Sequence, residues 1–103
     1  MLHIPTRTEE PVALEATTEM NRRKLLAKAL ASPNSLRFEE AVALVEALGF
    51  RLARVSGSHH IFVHTDLQEL VNLQSVHGNA KPYQVGQVLR LVERYNLRLR
   101  DKE

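Results

Sequence analysis

The sequence predicts an α+β protein, a two-layer sandwich in which helices cover one face of a three-stranded antiparallel sheet. Apolar residues recur at helical spacing twice before residue 49 and once after residue 81, which indicates three amphipathic helices. Between them lie short stretches rich in β-branched and aromatic residues, separated by turn residues, which indicates a β-meander. The element order is therefore α-α-β-β-β-α, and helices with a single apolar stripe must bury it against the sheet.

The first half of the chain holds two predicted helices. Residues 21–32 (NRRKLLAKALAS) are rich in helix formers, and Pro33 follows them as a helix breaker. Residues 38–48 carry apolar side chains at i, i+3, i+4 and i+7, the spacing of one helix face. Gly49 stands where a left-handed C-terminal cap belongs, so we expect the second helix to end there.

The strands are predicted from their alternation and from the turns between them. They span residues 50–56 (FRLARVS), 59–65 (HHIFVHT) and 69–76 (ELVNLQSV). Strands joined by turns as short as those at 56–58 and 66–68 must be antiparallel. Residues 77–80 (HGNA) are predicted to form a loop. Pro82 is predicted to open the last helix, at whose first turn a missing N–H costs little.

Length and composition fit one domain in a reducing compartment. The 103 residues, 44% of them hydrophobic, suffice for a single packed core. We expect residues 1–20, which lack apolar periodicity, to form a mobile tail, and residues 21–103 to form the domain. The chain has no cysteine, which excludes disulfides and thiolate chemistry and favours the cytoplasm. No stretch reads as a signal peptide or approaches the roughly 20 apolar residues of a membrane span.

The charge is unevenly placed. Residues 1–48 hold six Lys and Arg against seven Asp and Glu, whereas residues 49–103 hold eight against five. The second part is therefore at +3 and also carries four of the five histidines. A basic C-terminal half suits an anionic partner such as nucleic acid, although a charged face exposed to water would have the same composition.

Histidines give the densest functional signal. Gly57 allows a turn conformation that other residues resist, and His59 and His60 follow at the start of a strand. Strand alternation puts these two side chains on opposite faces, so they cannot both point at one substrate. Because Ile61 and Phe62 are both apolar, alternation alone does not say which of the two faces is buried.

Three interpretations of the histidines compete. They can be surface residues of a hairpin. They can be metal ligands, with His60 and His64 on one strand face, His77 as a third ligand and Asp66 or Glu69 nearby, although the spacing of a tight zinc site is absent. They can also serve general acid–base catalysis, for which imidazole suits neutral pH.

Beyond single residues, the sequence resembles a known family. The pattern GF-x5-SGSHHIFVHTD, a further strand, a His-Gly loop and KPYQVGQVLRLVERYNL are similar to the HicA-type toxins of bacterial toxin–antitoxin pairs. The resemblance covers about residues 38–97 and centres on the Gly57-x-His59 tripeptide. It implies a fold like that of double-stranded-RNA-binding domains. It also implies an mRNA interferase that needs neither metal nor cofactor and is inhibited by a HicB-type antitoxin.

The resemblance also implies one essential histidine. His59 matches the family's glycine-x-histidine motif, and His60 is the second choice because a one-residue shift would exchange them. Family members usually have a short N-terminus and one helix before the strands, so residues 1–34 are an addition here. We expect the helix near 21–31 to serve core packing.

RNA cleavage is chemically reasonable for these residues because RNA carries its own nucleophile, the 2′-OH. We expect His59 to transfer the proton and a nearby cation to stabilise the charge that develops on the phosphate. The predicted RNA-binding residues are Arg51, Arg54, Ser58, His60 and Lys81. The alternative is a non-catalytic RNA-binding or protein-interaction module of the same fold. Such a module has no need of a histidine in an accessible turn.

Overall fold

The computed structural model describes residues 22–100; the tail expected at residues 1–20 lies outside them. Helix α1 covers residues 22–31, and a 3₁₀ turn, Pro33–Ser35, follows it. The remaining elements are α2 (Phe38–Ala47), β1 (Phe50–Ser56), β2 (His59–His64), β3 (Leu67–Val76), β4 (Asn79–Ala80) and α3 (Pro82–Tyr95). The predicted α+β class and its antiparallel sheet are confirmed. Within residues 22–100 no helix is long and apolar enough to cross a membrane.

In the described part of the chain the sheet has four antiparallel strands in the order β1-β2-β3-β4, so the predicted count of three is wrong by one. The extra strand β4 is two residues long and falls where a loop was expected. His77 and Gly78 both have positive φ, +55° and +84°, as in the type I′ turn that closes a two-residue hairpin. That turn folds Asn79 back to pair with Val76. A histidine at positive φ is uncommon, which is why the sequence did not signal the hairpin.

The predicted boundaries hold for β1 and for the first residues of α2, β2 and α3, whereas α2 and β2 each end one residue earlier than predicted. Helix α2 ends before Gly49, which has a φ of +102° and donates its N–H to the Glu46 carbonyl at 3.0 Å. Strand β3 begins two residues earlier than expected. The Asp66 N–H donates to Nδ1 of His64 at 3.0 Å, which closes the preceding turn tightly enough for Leu67 to pair with His64.

The hydrophobic core lies between the helices and one face of the sheet. Its largest fully buried apolar side chains are Phe62, Leu36, Leu44, Leu48 and Leu73. Phe62 and Leu73 come from β2 and β3, so the face that also carries His60 and His64 is the one that packs on the helices. Among residues 22–100, no helix covers the face with His59, Ile61 and Val63. This settles which side of β2 is buried.

Helix α1 packs on the same core. Ala29 is completely buried, and Leu25 and Leu26 pack against the core cluster. An ion pair from Lys28 Nζ to Oε1 of Glu40, at 2.9 Å, joins α1 to α2. The expectation that this helix serves core packing agrees with these contacts.

Candidate active site

The turn between β1 and β2 has two residues, Gly57 and Ser58, enclosed by the pair Ser56 and His59. Gly57 has a φ of +61°, as glycine does at the first position of a type II′ hairpin turn. A side chain built at Gly57 would meet nothing within 4 Å. The turn therefore projects into open space, and His59 stands at its base as the first residue of β2.

His59 is exposed and lies on the uncovered face of the sheet. Its ring contacts the side chain of Asn72 on β3, with Nδ1 3.0 Å from Nδ2 and 3.2 Å from Oδ1 of the amide. Asn72 pairs directly with Ile61, so it reaches His59 diagonally across the two strands. One ring nitrogen is thus held by the protein.

His60 and His64 are on the opposite face and have other contacts. The His60 ring packs edge to face on Phe38, and its Nδ1 donates to the Ser58 carbonyl at 3.3 Å. The His64 ring packs in the same way on Phe50, with ring centroids 4.9 Å apart. The structure therefore does not bring His60 together with His59, and it buries His64 beside the core.

Both predicted arginines of β1 share the uncovered face with His59. Arg54 pairs with Ile61 and Arg51 pairs with Val63, which are two and four residues along β2 from His59. At about 3.3 Å per residue these pairs lie roughly 7 Å and 13 Å from His59. A bulge between Leu52 and Arg54 lets both arginines face the same way although they are three residues apart.

Lys81 precedes α3, and a chain of hydrogen bonds links that end of the helix to the histidine turn. Gln84, 1% exposed, accepts the Gln74 N–H at 2.8 Å through Oε1 and donates from Nε2 to Oε1 of Gln74 at 3.0 Å. The Gln74 amide then donates to Oγ of Ser58 at 3.4 Å. Gln74 is also the residue paired with His59 across β2 and β3. Ser58 and the start of α3 therefore lie at the same end of the sheet.

Asn72, Gln74 and Gln84 were not singled out in the sequence. Asn72 and Gln74 alternate with the apolar Val71 and Leu73, which could have placed them on one polar face. The length of the turn between β2 and β3 sets the register of β3 against His59, and this turn was predicted too long. Gln84 could have been noticed as a polar residue one turn before Val88 on the apolar stripe of the last helix.

The residues considered as metal ligands do not form a cluster. In the part of the chain that the structure describes, no three His, Asp or Glu side chains lie close enough to hold a metal ion. His64 Nδ1 is occupied by the Asp66 N–H. Glu69 accepts a hydrogen bond from the Tyr95 hydroxyl at 2.5 Å.

The fold and the site define a two-layer α+β domain that exposes a histidine, His59, at the base of the hairpin turn between β1 and β2. The family model described as the HicA toxin of bacterial toxin–antitoxin matches residues 38–93, which include the histidine turn and most of α3. The chain therefore belongs to the HicA toxin family, as the resemblance indicated, and that family consists of ribonuclease toxins. No curated protein and no solved structure matches the chain significantly.

Proposed function

We propose that this chain is a metal-independent endoribonuclease that cleaves mRNA with His59 as its single catalytic histidine. A HicB-type antitoxin in the same cytoplasm holds it inactive. One observation carries the proposal. Of the three histidines on β2, His59 alone faces the uncovered side of the sheet, while His60 and His64 pack on aromatic rings of the helix-covered side.

The chemistry needs one proton acceptor beside the RNA. Nε2 of His59 removes the proton of a 2′-OH, and the 2′-oxygen then attacks the adjacent phosphorus. The bond from phosphorus to the 5′-oxygen breaks, and the leaving oxygen takes a proton from the imidazolium or from water. The products are a 2′,3′-cyclic phosphate and a 5′-hydroxyl. Proton transfer by one side chain contributes about 10²–10⁴-fold in rate, so the enzyme should be slow.

The phosphate contacts are assigned to the cationic and polar groups nearest the turn. Arg54 lies closest along β1 on the same face, Ser58 is in the turn, and Lys81 precedes α3 at the same end of the sheet. A cation there stabilises charge that develops on the non-bridging oxygens. Arg51 lies further along the strand and His60 on the opposite face, so their contacts with RNA stay predictions.

Purified protein incubated with a defined single-stranded RNA tests the catalytic assignment. We expect His59→Ala to lose cleavage by a factor of about 10² or more. The control is His77→Asn, since His77 is an exposed histidine in the β3–β4 turn and asparagine tolerates its positive φ. This control should cleave normally. Wild-type protein should also cleave in excess EDTA and leave a cyclic phosphate.

Three results would contradict the proposal. Full cleavage by His59→Ala would show that His59 is not the catalytic histidine. Binding of RNA without cleavage by the wild-type protein would instead favour the non-catalytic module. Replacing the scissile 2′-OH by hydrogen in the RNA should block the reaction, and cleavage of that RNA would exclude the 2′-oxygen as nucleophile.

Inhibition is tested by co-expression. If the neighbouring gene encodes a small DNA-binding protein, co-expressing it should restore growth and mRNA integrity in cells that make this chain. The two proteins should co-purify, and the purified partner should stop cleavage in vitro at equimolar concentration. Growth arrest that persists with the partner present would reject it as the antitoxin.

A further inference from the structure

We infer that Asn72 is a positioning residue that holds the His59 imidazole with Nε2 free to accept a proton. The inference rests on the proposed role of His59. Asn72 is on the neighbouring strand β3, on the same uncovered face, and its amide lies 3.0–3.2 Å from Nδ1. Among residues 22–100 no other side chain hydrogen-bonds the His59 ring.

The contact determines which ring nitrogen carries the proton. A neutral imidazole has one N–H and one bare nitrogen, and only a bare Nε2 can take the proton of the 2′-OH. When Oδ1 of Asn72 accepts from Nδ1–H, Nε2 is bare. When the amide is turned by 180°, Nδ2 donates to Nδ1, and the proton must then sit on Nε2. Both amide orientations fit the two distances, and the first is the active one.

The contact between Asn72 and Nδ1 of His59 also stabilises the ring after it has accepted the proton. After Nε2 has taken the proton, Nδ1–H still donates to Oδ1, so the imidazolium keeps its partner without any rearrangement. A partner on the second ring nitrogen fixes the ring orientation as well as the tautomer. A rigid strand supplies the amide, which is a more precise support than a loop.

The surrounding charges allow a pH experiment. Near His59 on this face, β1 presents Arg54 and β3 presents the uncharged Asn72 and Gln74. Lys81 lies at the start of α3, and His60 is on the opposite side of β2. All of these groups except Asn72 are the same in every variant, so the carboxylate of Asn72→Asp is the only new charge that the His59 ring meets.

Three variants test the inference in the full chain. Asn72→Leu removes both hydrogen-bonding atoms, and kcat should fall about 10- to 100-fold with KM unchanged. Asn72→Asp keeps an acceptor and adds a negative charge that favours the imidazolium. The NMR titration midpoint of the His59 ring should rise by about one pH unit, and the acid limb of the rate profile should follow it. Gln68→Leu, an exposed residue of the same strand, is the control and should change neither.

The outcomes separate this inference from the proposed function. An unchanged kcat in Asn72→Leu, or an unchanged His59 midpoint in Asn72→Asp, would overturn the role of Asn72. A fall in KM alone, or a rise in KM alone, would also overturn it, because substrate binding and not ring position would have changed. If the wild-type protein does not cleave RNA, the proposed function fails, and the NMR midpoint still decides whether Asn72 holds the ring.

Discussion

The rings of Phe38 and His60 meet edge to face with their centroids 4.8 Å apart and their planes inclined at 62°. Phe38 opens α2, so this contact fastens the start of that helix to the sheet. Two adjacent histidines of β2 thereby have separate tasks. His60 packs against the helix layer, whereas His59 is exposed on the other face beside Asn72.

We predict that His60→Ala destabilises the fold and that His59→Ala does not. An aromatic pair contributes about 0.5–1.5 kcal/mol beyond its buried area, so the free energy of unfolding should fall by about 1 kcal/mol or more in His60→Ala. His59 is exposed, and its replacement should stay within about 0.5 kcal/mol of wild type. Urea unfolding followed by circular dichroism measures both. Equal losses in the two variants would contradict the division of tasks.

Most of the architecture was predictable because local signals agreed with the final packing. Apolar periodicity gave α2 and α3, Gly49 gave the helix end, and strand alternation separated His59 from His60. Which side of β2 is buried was not predictable, because Ile61 and Phe62 are both apolar. The packing of the helices, which buries Phe62, determines the buried side.

The supporting residues of the site escaped prediction for a different reason. Asn72 contacts His59, which is 13 positions away in the chain. Gln84 contacts Gln74, which is 10 positions away. Such contacts depend on the strand register and on how α3 packs against β3. Strand β4 was missed because its turn has a histidine at positive φ, where asparagine or glycine is the usual signal.

A second prediction concerns the buried Gln84 amide. Strand β4 is too short to cover the edge of β3 at Gln74, and Oε1 of Gln84 accepts the N–H that would otherwise lack a partner. Gln84→Leu should therefore lower the free energy of unfolding by about 1–3 kcal/mol, the cost of an unsatisfied buried donor. The midpoint of urea unfolding measures this loss of stability.

The control for this variant is Gln87→Leu. Gln87 is exposed on the same helix, so this change should alter the free energy of unfolding by less than about 0.5 kcal/mol. A similar loss in both variants would mean that adding leucine to α3, and not losing the Gln84 amide, causes the effect.

A third prediction concerns acid stability. The Arg37 backbone N–H donates to Oε1 of Glu40 at 2.9 Å, and Lys28 donates to the same carboxylate. These two contacts, with the backbone hydrogen bond as the larger cause, hold the pKa of Glu40 below its usual value. A lowered pKa in the folded state means that the ionised carboxylate stabilises the protein. That contribution is complete above the unfolded pKa near 4.3 and is lost as pH falls through the folded pKa.

The variant Glu40→Gln isolates this contribution. It should be less stable than wild type at pH 7 by about 0.2–1 kcal/mol, because glutamine can still accept the Arg37 N–H but lacks the negative charge that pairs with Lys28. The difference should shrink as pH falls below about 4, because wild type then loses the same charge. Urea unfolding at a series of pH values measures it. A difference that stays constant down to pH 2 would show that the charge of Glu40 does not contribute.

The last prediction separates the two arginines of β1. Arg54 pairs with Ile61 and Arg51 with Val63, so Arg54 is about 7 Å nearer to the histidine along the sheet. If the scissile phosphate lies at His59, Arg54→Ala should lower kcat about tenfold, since it removes a cation from the transition state. Arg51→Ala should mainly raise KM, because Arg51 is predicted to contact RNA and lies further from the bond that breaks. Each variant should reduce the salt dependence of RNA binding by about one unit of slope. Steady-state kinetics on a fluorescent RNA at several salt concentrations measures all three quantities. The reverse assignment, with kcat lost only in Arg51→Ala, would place the scissile phosphate near Val63 and away from His59.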